Sequence, residues 1–411
     1  MESVLKSNDQ TKGNISNTST LSNIICVVAG TGILAIAHAL SKAGWIGLLF
    51  LILGALMSHF TGIILIQCLY AHKHQRFQDY ADLGYAAFGR PGQVIGWLFS
   101  QLFLFLTPTI YMILASENMS EIFMVHYGIP WLDRHMCIWI LSAVVGIPFM
   151  LVRNLRDVSF LSTFACMATF CLLLIVCVAS LSNIRDMTGV HHKIAIAKNI
   201  PLAFSTFSFS YCGHVFYPHL EVSMKTPSRW PKVLLVSTCV IGLMYLVMGF
   251  TCYLVYGQAV VSPIYRSLPR GASQLMAMLV ITLHVLLAIP LYLYAFTLSI
   301  ESWFYRPSDG NKKMQIMVRM IEMMVCCLLA MFIPYFSDFM VLVGSVFSDT
   351  LSFILPSIFW IKLNWHTLSD MRHGYLKLCA CLVIASIGII CAIFGTMDAA
   401  NTLVYDFKRI I

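Results

Sequence analysis

Long apolar runs alternate with short polar segments along almost the whole chain, from residue 21 to residue 396. Because a helix needs about 20 apolar residues to cross a bilayer, these runs predict about eleven transmembrane helices in an all-α integral membrane protein. The predicted spans are residues 21–43, 45–70, 94–115, 136–152, 160–181, 200–216, 233–255, 275–300, 317–336, 340–361 and 376–396.

Two of these spans contain poor helix formers near their middles, and each is the first span of one half of the chain. The residues concerned are Gly30, Thr31 and Gly32 in the first span, and Ser208, Ser210, Tyr211 and Gly213 in the sixth. Paired interruptions at corresponding positions point to the binding site of a secondary transporter. Unwound backbone at this depth must be satisfied by protein or by a water-filled cavity. The pattern therefore predicts a solute site.

Composition supports a membrane protein, with 59% hydrophobic and 11% charged residues. Soluble domains have about 45–50% and about 25%, respectively. The net charge of +8 is spread over short loops, whereas a nucleic-acid site would need basic residues gathered on one soluble face. The fourteen cysteines lie mostly inside apolar spans, as expected of buried free thiols. With no nucleophile and oriented base, phosphate loop or metal-ligand spacing, we expect no enzyme activity, cofactor or metal.

Most Lys and Arg residues fall in the loops that lie on one side when the N-terminus is cytosolic, and basic loops are retained on that side. This distribution predicts a cytosolic N-terminus and a luminal C-terminus. Residues 1–20 are polar and are expected to form a short disordered cytosolic tail. Residues 21–396 would form the transmembrane domain, and residues 397–411 a short luminal tail.

A helix broken at Gly30, Thr31 and Gly32 frees N–H groups at the start of the next half-helix. Its positive dipole end attracts an anion such as an amino acid carboxylate. Carbonyls freed in the sixth span are suited to an ammonium group, and Tyr211 would wall the pocket. The alternative is that the glycines only permit close helix packing.

Several motifs resemble a known family. Residues 30–45, GTGILAIAHALSKAGW, are similar to the first-helix motif of the amino acid/auxin permease family, and residues 80–84 and 87–92 resemble that family's first cytosolic loop. Residues 209–218 and 223–227 resemble the sixth helix and its cytosolic exit in the vacuolar amino acid transporter branch. The resemblance covers nearly the whole chain from residue 22.

This resemblance implies a fold of two inverted five-helix repeats plus an eleventh helix, like that of the bacterial leucine transporter. The first and sixth helices would be the broken ones. The chain departs from the family motif at Ala37, where proline is usual, and at His38, where tyrosine is usual. Without that proline, the glycines are the main helix breakers.

The prediction of which ion is coupled to transport rests on fewer residues. Sodium-coupled relatives often have threonine two residues before Pro290, where this chain has Ala288, and the loss of a hydroxyl ligand argues against sodium. Proton coupling needs a titratable group inside the membrane. The candidates are His214, which borders the second interruption, together with Glu117, Asp349 and His284.

The sequence thus predicts a proton-coupled amino acid transporter of a vacuolar or lysosomal membrane that works by alternating access. Its partners would be an amino acid, protons and the lipid bilayer, and we expect a monomer. The alternatives are a sodium-coupled plasma-membrane permease and an amino acid sensor without net transport.

Overall fold

A computed structural model describes residues 13, 15–72, 76–151, 155–184, 189–304, 312–333, 336–369, 371 and 373–410. Within these residues the chain is helical, and its one β-type contact is an isolated parallel bridge between Ile15 and Met224. Most of the predicted N-terminal tail, residues 1–12 and 14, lies outside the described residues.

The α-helices are α1 Asn17–Val28, α2 Ile33–Ala43, α3 Gly47–Leu69, α4 Tyr80–Glu121, α5 Arg134–Leu151, α6 Leu155–Ser182, α7 Ile200–Ser210, α8 Tyr217–Val222, α9 Trp230–Tyr256, α10 Ala272–Phe304, α11 Lys312–Phe332, α12 Phe336–Val343, α13 Leu355–Asn364 and α14 Gly374–Ile410. Two π-helical turns, Gly344–Ser348 and Thr350–Ile354, connect α12 to α13. The helix α14 continues past residue 396, where the sequence predicted the luminal tail to begin.

Eight helical segments of the described chain are long and apolar enough to cross a membrane, and α1 with α2 makes a ninth when the bent pair is one span. The helix α5 is a shorter apolar helix, and α7 with α8 is interrupted. These two occupy the remaining predicted positions. The all-α membrane fold is confirmed, whereas length and hydropathy alone do not reach the predicted count of eleven.

Both predicted interruptions occur. The first break, residues 29–32, separates α1 from α2, and the two helices meet at 51°. The second break, residues 211–216, separates α7 from α8. The helix α2 continues without interruption through Ala37 and His38, so the first unwound segment is only four residues long.

Helix packing places both breaks at the centre of the molecule. The helix α1 packs against α6 and α9, and α2 packs against α7 and α9. The helix α7 also contacts α14 and the π-helical turn Gly344–Ser348. Each broken helix is therefore surrounded by protein, as unwound backbone in a membrane requires.

Candidate functional site

The two breaks are in direct contact, and each has a glycine against the other helix. A Cβ atom on Gly32 would lie 2.6 Å from the Cα of Ser210, the last residue of α7. A Cβ on Gly213 would lie 2.5 Å from the Cγ2 of Val28, the last residue of α1. Only glycine fits either position, because real Cβ atoms do not approach other atoms so closely.

The first break presents backbone donors that have no backbone partner. Among the described residues, the N–H groups of Gly30, Thr31 and Gly32 donate to no backbone carbonyl. They precede α2, an eleven-residue helix whose N-terminal end carries a partial positive charge. All three residues are buried. This combination favours a carboxylate ligand.

Side-chain hydroxyls cap the carbonyls that the breaks release. The Tyr245 hydroxyl lies 2.8 Å from the Val28 carbonyl oxygen and 2.7 Å from that of Ser210. It has one proton, so it donates to one carbonyl at a time and joins the ends of α1 and α7. The Ser58 hydroxyl donates to the Tyr211 carbonyl oxygen at 3.1 Å.

The aromatic side chains of α4 and α10 line the first break. The Tyr292 hydroxyl donates to the Val27 carbonyl oxygen at 3.0 Å, and the Tyr111 hydroxyl contacts the Tyr292 hydroxyl at 3.4 Å. His284 Nδ1 donates to the Ala165 carbonyl oxygen at 2.8 Å. The opposite nitrogen, Nε2, is buried without a hydrogen bond. It faces Gly30, since a Cβ there would lie 3.3 Å away.

His214 lies in the second break and is fully buried. Its Nε2 is 2.9 Å from Thr61 Oγ1. That hydroxyl in turn lies 2.8 Å from the Met57 carbonyl oxygen, which can only accept. Thr61 therefore donates to Met57 and accepts from His214 Nε2–H, while His214 Nδ1 has no hydrogen-bond partner.

The predicted residues of the second break point in different directions. Ser210 donates to the Thr206 carbonyl oxygen at 2.8 Å, and its Cα faces Gly32. The Tyr211 ring packs 5.1 Å from the Tyr245 ring. The Tyr211 ring also lies close to Gly54 of α3.

The other two coupling candidates have contrasting environments. Asp349 is fully buried between the two π-helical turns, and its Oδ2 is 3.3 Å from Ser205 Oγ on α7. Ser208, one turn further along α7, lies beside the same carboxyl group. Glu117 forms an ion pair at 3.3 Å with Arg266, which lies in the connection between α9 and α10. The structure therefore brings Asp349 to the second break and leaves Glu117 at the end of α4.

The two sides of the site differ. On the side predicted to be luminal, a cavity of 160 Å³ opens beside α2 and α7. It is lined by residues that include Ala35, His38, Leu202, Thr206, Met340 and Asp398.

Polar contacts close the side predicted to be cytosolic. Arg76 forms a 2.8 Å ion pair with Glu221 of α8, whose side chain is 2% exposed. Tyr70 donates to the same carboxylate at 2.8 Å. Ile15 exchanges backbone hydrogen bonds of 3.0 and 2.9 Å with Ser223 and Lys225. The start of α1 and the end of α8 are thus joined.

The sequence analysis did not single out the tyrosine hydroxyls that lie at the two breaks. Tyr111, Tyr245 and Tyr292 lie in apolar spans, where buried aromatic residues are expected as ordinary core. The only available signal was chemical, because released carbonyls need donors and a tyrosine hydroxyl is one such donor.

Several solved structures share this architecture. MhsT in complex with L-phenylalanine aligns with a TM-score of 0.63 and 13% identity over 94% of this chain and 99% of that chain. Mhp1, a nucleobase-cation-symport-1 family transporter, aligns with a TM-score of 0.55 and 11% identity over 96% and 94%. The fold is therefore that of the bacterial leucine transporter class, as the resemblance implied.

The chain belongs to the transmembrane amino acid transporter protein family, whose model matches residues 13–400. This confirms the family suggested by the motifs. Because the family and the relatives it includes are transporters, the prediction that the chain is not an enzyme is also confirmed.

Curated relatives match over most of their length. Amino acid transporter AVT1I of Arabidopsis thaliana is 30% identical over 84% of this chain and 85% of the relative. Amino acid transporter AVT1H of the same plant is 26% identical over 94% and 90%. The vesicular GABA transporter of Caenorhabditis elegans is 26% identical over 86% and 74%.

Proposed function

We propose that the protein is a proton-coupled amino acid transporter of a vacuolar or lysosomal membrane that works by alternating access. The observation that carries the proposal is the contact between the two breaks through Gly32 and Ser210. A solute bound between them would touch both broken helices, so its arrival and departure would change how the two helices pack.

The substrate carboxylate would bind at Gly30, Thr31 and Gly32, whose N–H groups are free of backbone partners. The ammonium group or the side chain would contact Ser208 and Ser210 at the end of α7, and Tyr211 and Gly213 in the second break. Since a Cβ on Gly32 would be 2.6 Å from Ser210, the breaks must separate to admit a substrate.

Alternating access is supported by the difference between the two sides. A cavity beside α2 and α7 reaches Thr206, the residue whose carbonyl accepts the Ser210 hydroxyl. On the other side, the Arg76–Glu221 ion pair and the Ile15–Met224 bridge close the path. Transport would require these contacts to break as the cavity closes.

Proton coupling is favoured over sodium coupling because Ala288, buried on α10, has no side-chain oxygen to offer a cation. His214, His284 and Asp349 are buried titratable groups at or beside the breaks. Glu117 is the weaker candidate, since Arg266 already neutralises it. The membrane assignment is supported by the resemblance to the vacuolar branch and by the worm relative, whose name describes it as vesicular.

Flux in proteoliposomes tests the proposal. The purified chain is reconstituted, and uptake of a radiolabelled mixture of the standard amino acids is measured under a pH gradient and under a sodium gradient in turn. We expect accumulation driven by the pH gradient that is unchanged when choline replaces sodium. Accumulation that needs sodium at constant pH would instead indicate the sodium-coupled permease. Saturable binding without exchange or accumulation would indicate a sensor.

A further inference from the structure

A buried carboxyl group lies between α7 and the chain that connects α12 to α13. Asp349 is fully buried between two successive π-helical turns, and such turns are frequent at functional sites. The contacts of Asp349 in the described part of the chain are with Ser205 and with thiol and hydroxyl groups. Asp349 has no Lys, Arg or His partner in this part of the chain, and a buried unpaired carboxylate ion is strongly disfavoured.

The groups that face Asp349 are hydroxyls and thiols. From α7 come Ser205 and Ser208, from the second break Cys212, and from α14 Cys391. None of these carries a positive charge. The environment therefore favours the neutral carboxylic acid over the carboxylate ion.

The hydrogen-bond geometry is compatible with the neutral acid. Ser205 Oγ lies 2.9 Å from the Cys391 carbonyl oxygen, 3.2 Å from the Pro201 carbonyl oxygen and 3.3 Å from Asp349 Oδ2. A hydroxyl has one proton, and carbonyls only accept. When Ser205 donates to Cys391, its shortest contact, a hydrogen bond to Asp349 requires a proton on the carboxyl group. Asp349 then donates to Ser205.

This arrangement depends on the position of α7. A Cβ on Gly344 would lie 2.9 Å from the Phe209 Cβ and 3.4 Å from the Ser205 carbonyl oxygen. A Cβ on Gly395 of α14 would lie 2.5 Å from Ser205 Oγ. The helix α7 is thus held within contact distance of both neighbours, and any shift of α7 changes the surroundings of Asp349. Because α7 ends at Ser210, against Gly32, that shift accompanies separation of the breaks.

We propose that Asp349 holds the proton whose movement is coupled to amino acid transport, an inference that rests on the proposed function. With the breaks in contact, the carboxyl group is neutral and donates to Ser205. When α7 moves away, the carboxyl group loses its acceptor and meets water, so the O–H bond breaks and the proton passes to water on the open side. The remaining carboxylate is reprotonated before the breaks meet again.

His214 and His284 have a different role in this scheme. Each ring is fixed by one donated hydrogen bond, to Thr61 and to the Ala165 carbonyl respectively. A neutral ring satisfies both contacts, so neither histidine needs to gain or lose a proton for the closed packing to form.

The test compares Asp349→Asn with the wild type in proteoliposomes made from the full chain. The probe is a radiolabelled mixture of the standard amino acids. Asparagine has the shape of the neutral acid and donates to Ser205 without releasing a proton. We expect exchange of internal for external amino acid to persist within about twofold of the wild type. Accumulation driven by the pH gradient should fall to the equilibrium level, and amino-acid-dependent proton flux should vanish.

Glu322→Gln is the matched control. Glu322 is also a buried acid within a span and accepts a 2.6 Å hydrogen bond from Thr297, but it lies on α11, away from the breaks. This variant should retain accumulation driven by the pH gradient. If Asp349→Asn accumulates substrate as the wild type does, or if the folded variant loses exchange as well, the proposal is overturned. A wild-type protein that exchanges no amino acid would instead refute the proposed function.

A second variant keeps the proposal testable if Asp349→Asn does not fold. Ser205→Ala removes the acceptor for the neutral carboxyl group, which makes proton loss easier. Loss of one such hydrogen bond should move the midpoint of the pH dependence of uptake to lower pH by about half to one unit. An unchanged midpoint in folded Ser205→Ala protein would overturn the proposal.

Discussion

Gly30 lies directly against the hydroxyl of Tyr111, so that a Cβ on Gly30 would come within 2.6 Å of the Tyr111 oxygen. The next contact of such a Cβ would be His284 Nε2 at 3.3 Å. Because Gly30 has no side chain, the first break can pack against both Tyr111 of α4 and His284 of α10. The Tyr111 hydroxyl also interacts with the backbone of Thr31, one of the three residues proposed to bind the carboxylate.

We predict that Gly30→Val reduces transport at least about tenfold while the protein remains folded and inserted, because the side chain would fill the space in which the backbone meets the substrate. Uptake and size-exclusion behaviour are measured together. Gly242→Ala is the control, since its added Cβ would have no contact closer than 3.8 Å. Normal uptake by folded Gly30→Val protein would contradict the carboxylate assignment.

The Tyr245 hydroxyl should matter for both stability and transport. Tyr245→Phe leaves the Val28 and Ser210 carbonyls short of a donor, which should lower the free energy of unfolding by about 1–3 kcal/mol and weaken substrate binding. Thermal unfolding and the KM for uptake are the measurements. Tyr253→Phe on the same helix is the control, because that hydroxyl bonds to Lys193, away from the breaks. An equal rise in KM for both variants would argue against a role of Tyr245 at the site.

The Arg76–Glu221 ion pair should hold the side predicted to be cytosolic closed. Glu221→Gln removes the charge attraction, and a loss of about 1 kcal/mol changes the ratio of two states about fivefold. Cys212, which is 2% exposed in the second break, should then react correspondingly faster with a membrane-impermeant thiol reagent added from the cytosolic side. Labelling that disappears in the Cys212→Ser variant is labelling of Cys212. No acceleration, or acceleration only from the opposite side, would be evidence against this gate.

His214 is predicted to tune coupling without binding the substrate. It lies in the break between α7 and α8, so separation of the breaks would bring its ring into contact with water, where a histidine changes charge near pH 6.5. We expect His214→Gln to shift the pH profile of uptake while accumulation persists, in contrast to Asp349→Asn. Thr61→Val, which removes the hydroxyl that contacts His214, should lower stability. An unaltered profile at normal expression would remove His214 from the mechanism.

The backbone features of the site were predictable because they depend on local sequence. Glycine is a poor helix former, and both breaks occur where glycines 30, 32 and 213 lie among other poor helix formers, as predicted. The absence of the family proline at Ala37 also has its expected local effect, since α2 continues through that position.

The side-chain partners were not predictable, because they come from distant parts of the chain. The contact of Ser205 with Asp349 and Cys391 spans more than a hundred residues, and no hydrophobic periodicity encodes which faces of three helices will meet. The role of Tyr245 could not be predicted for the same reason. Its ring is typical of a buried helix face, and its hydroxyl is recognised as a hydrogen-bond donor only once the Val28 and Ser210 carbonyls are seen beside it.

The bridge between Ile15 and Met224 connects α1 to α8 on the side predicted to be cytosolic. Since the beginning of α1 is joined to the end of α8, neither can swing outward without pulling the other or first detaching from it. Opening on this side would then require both helices to move together. The few residues before α1 would thereby set how often the protein turns over, although they lie far from the amino acid.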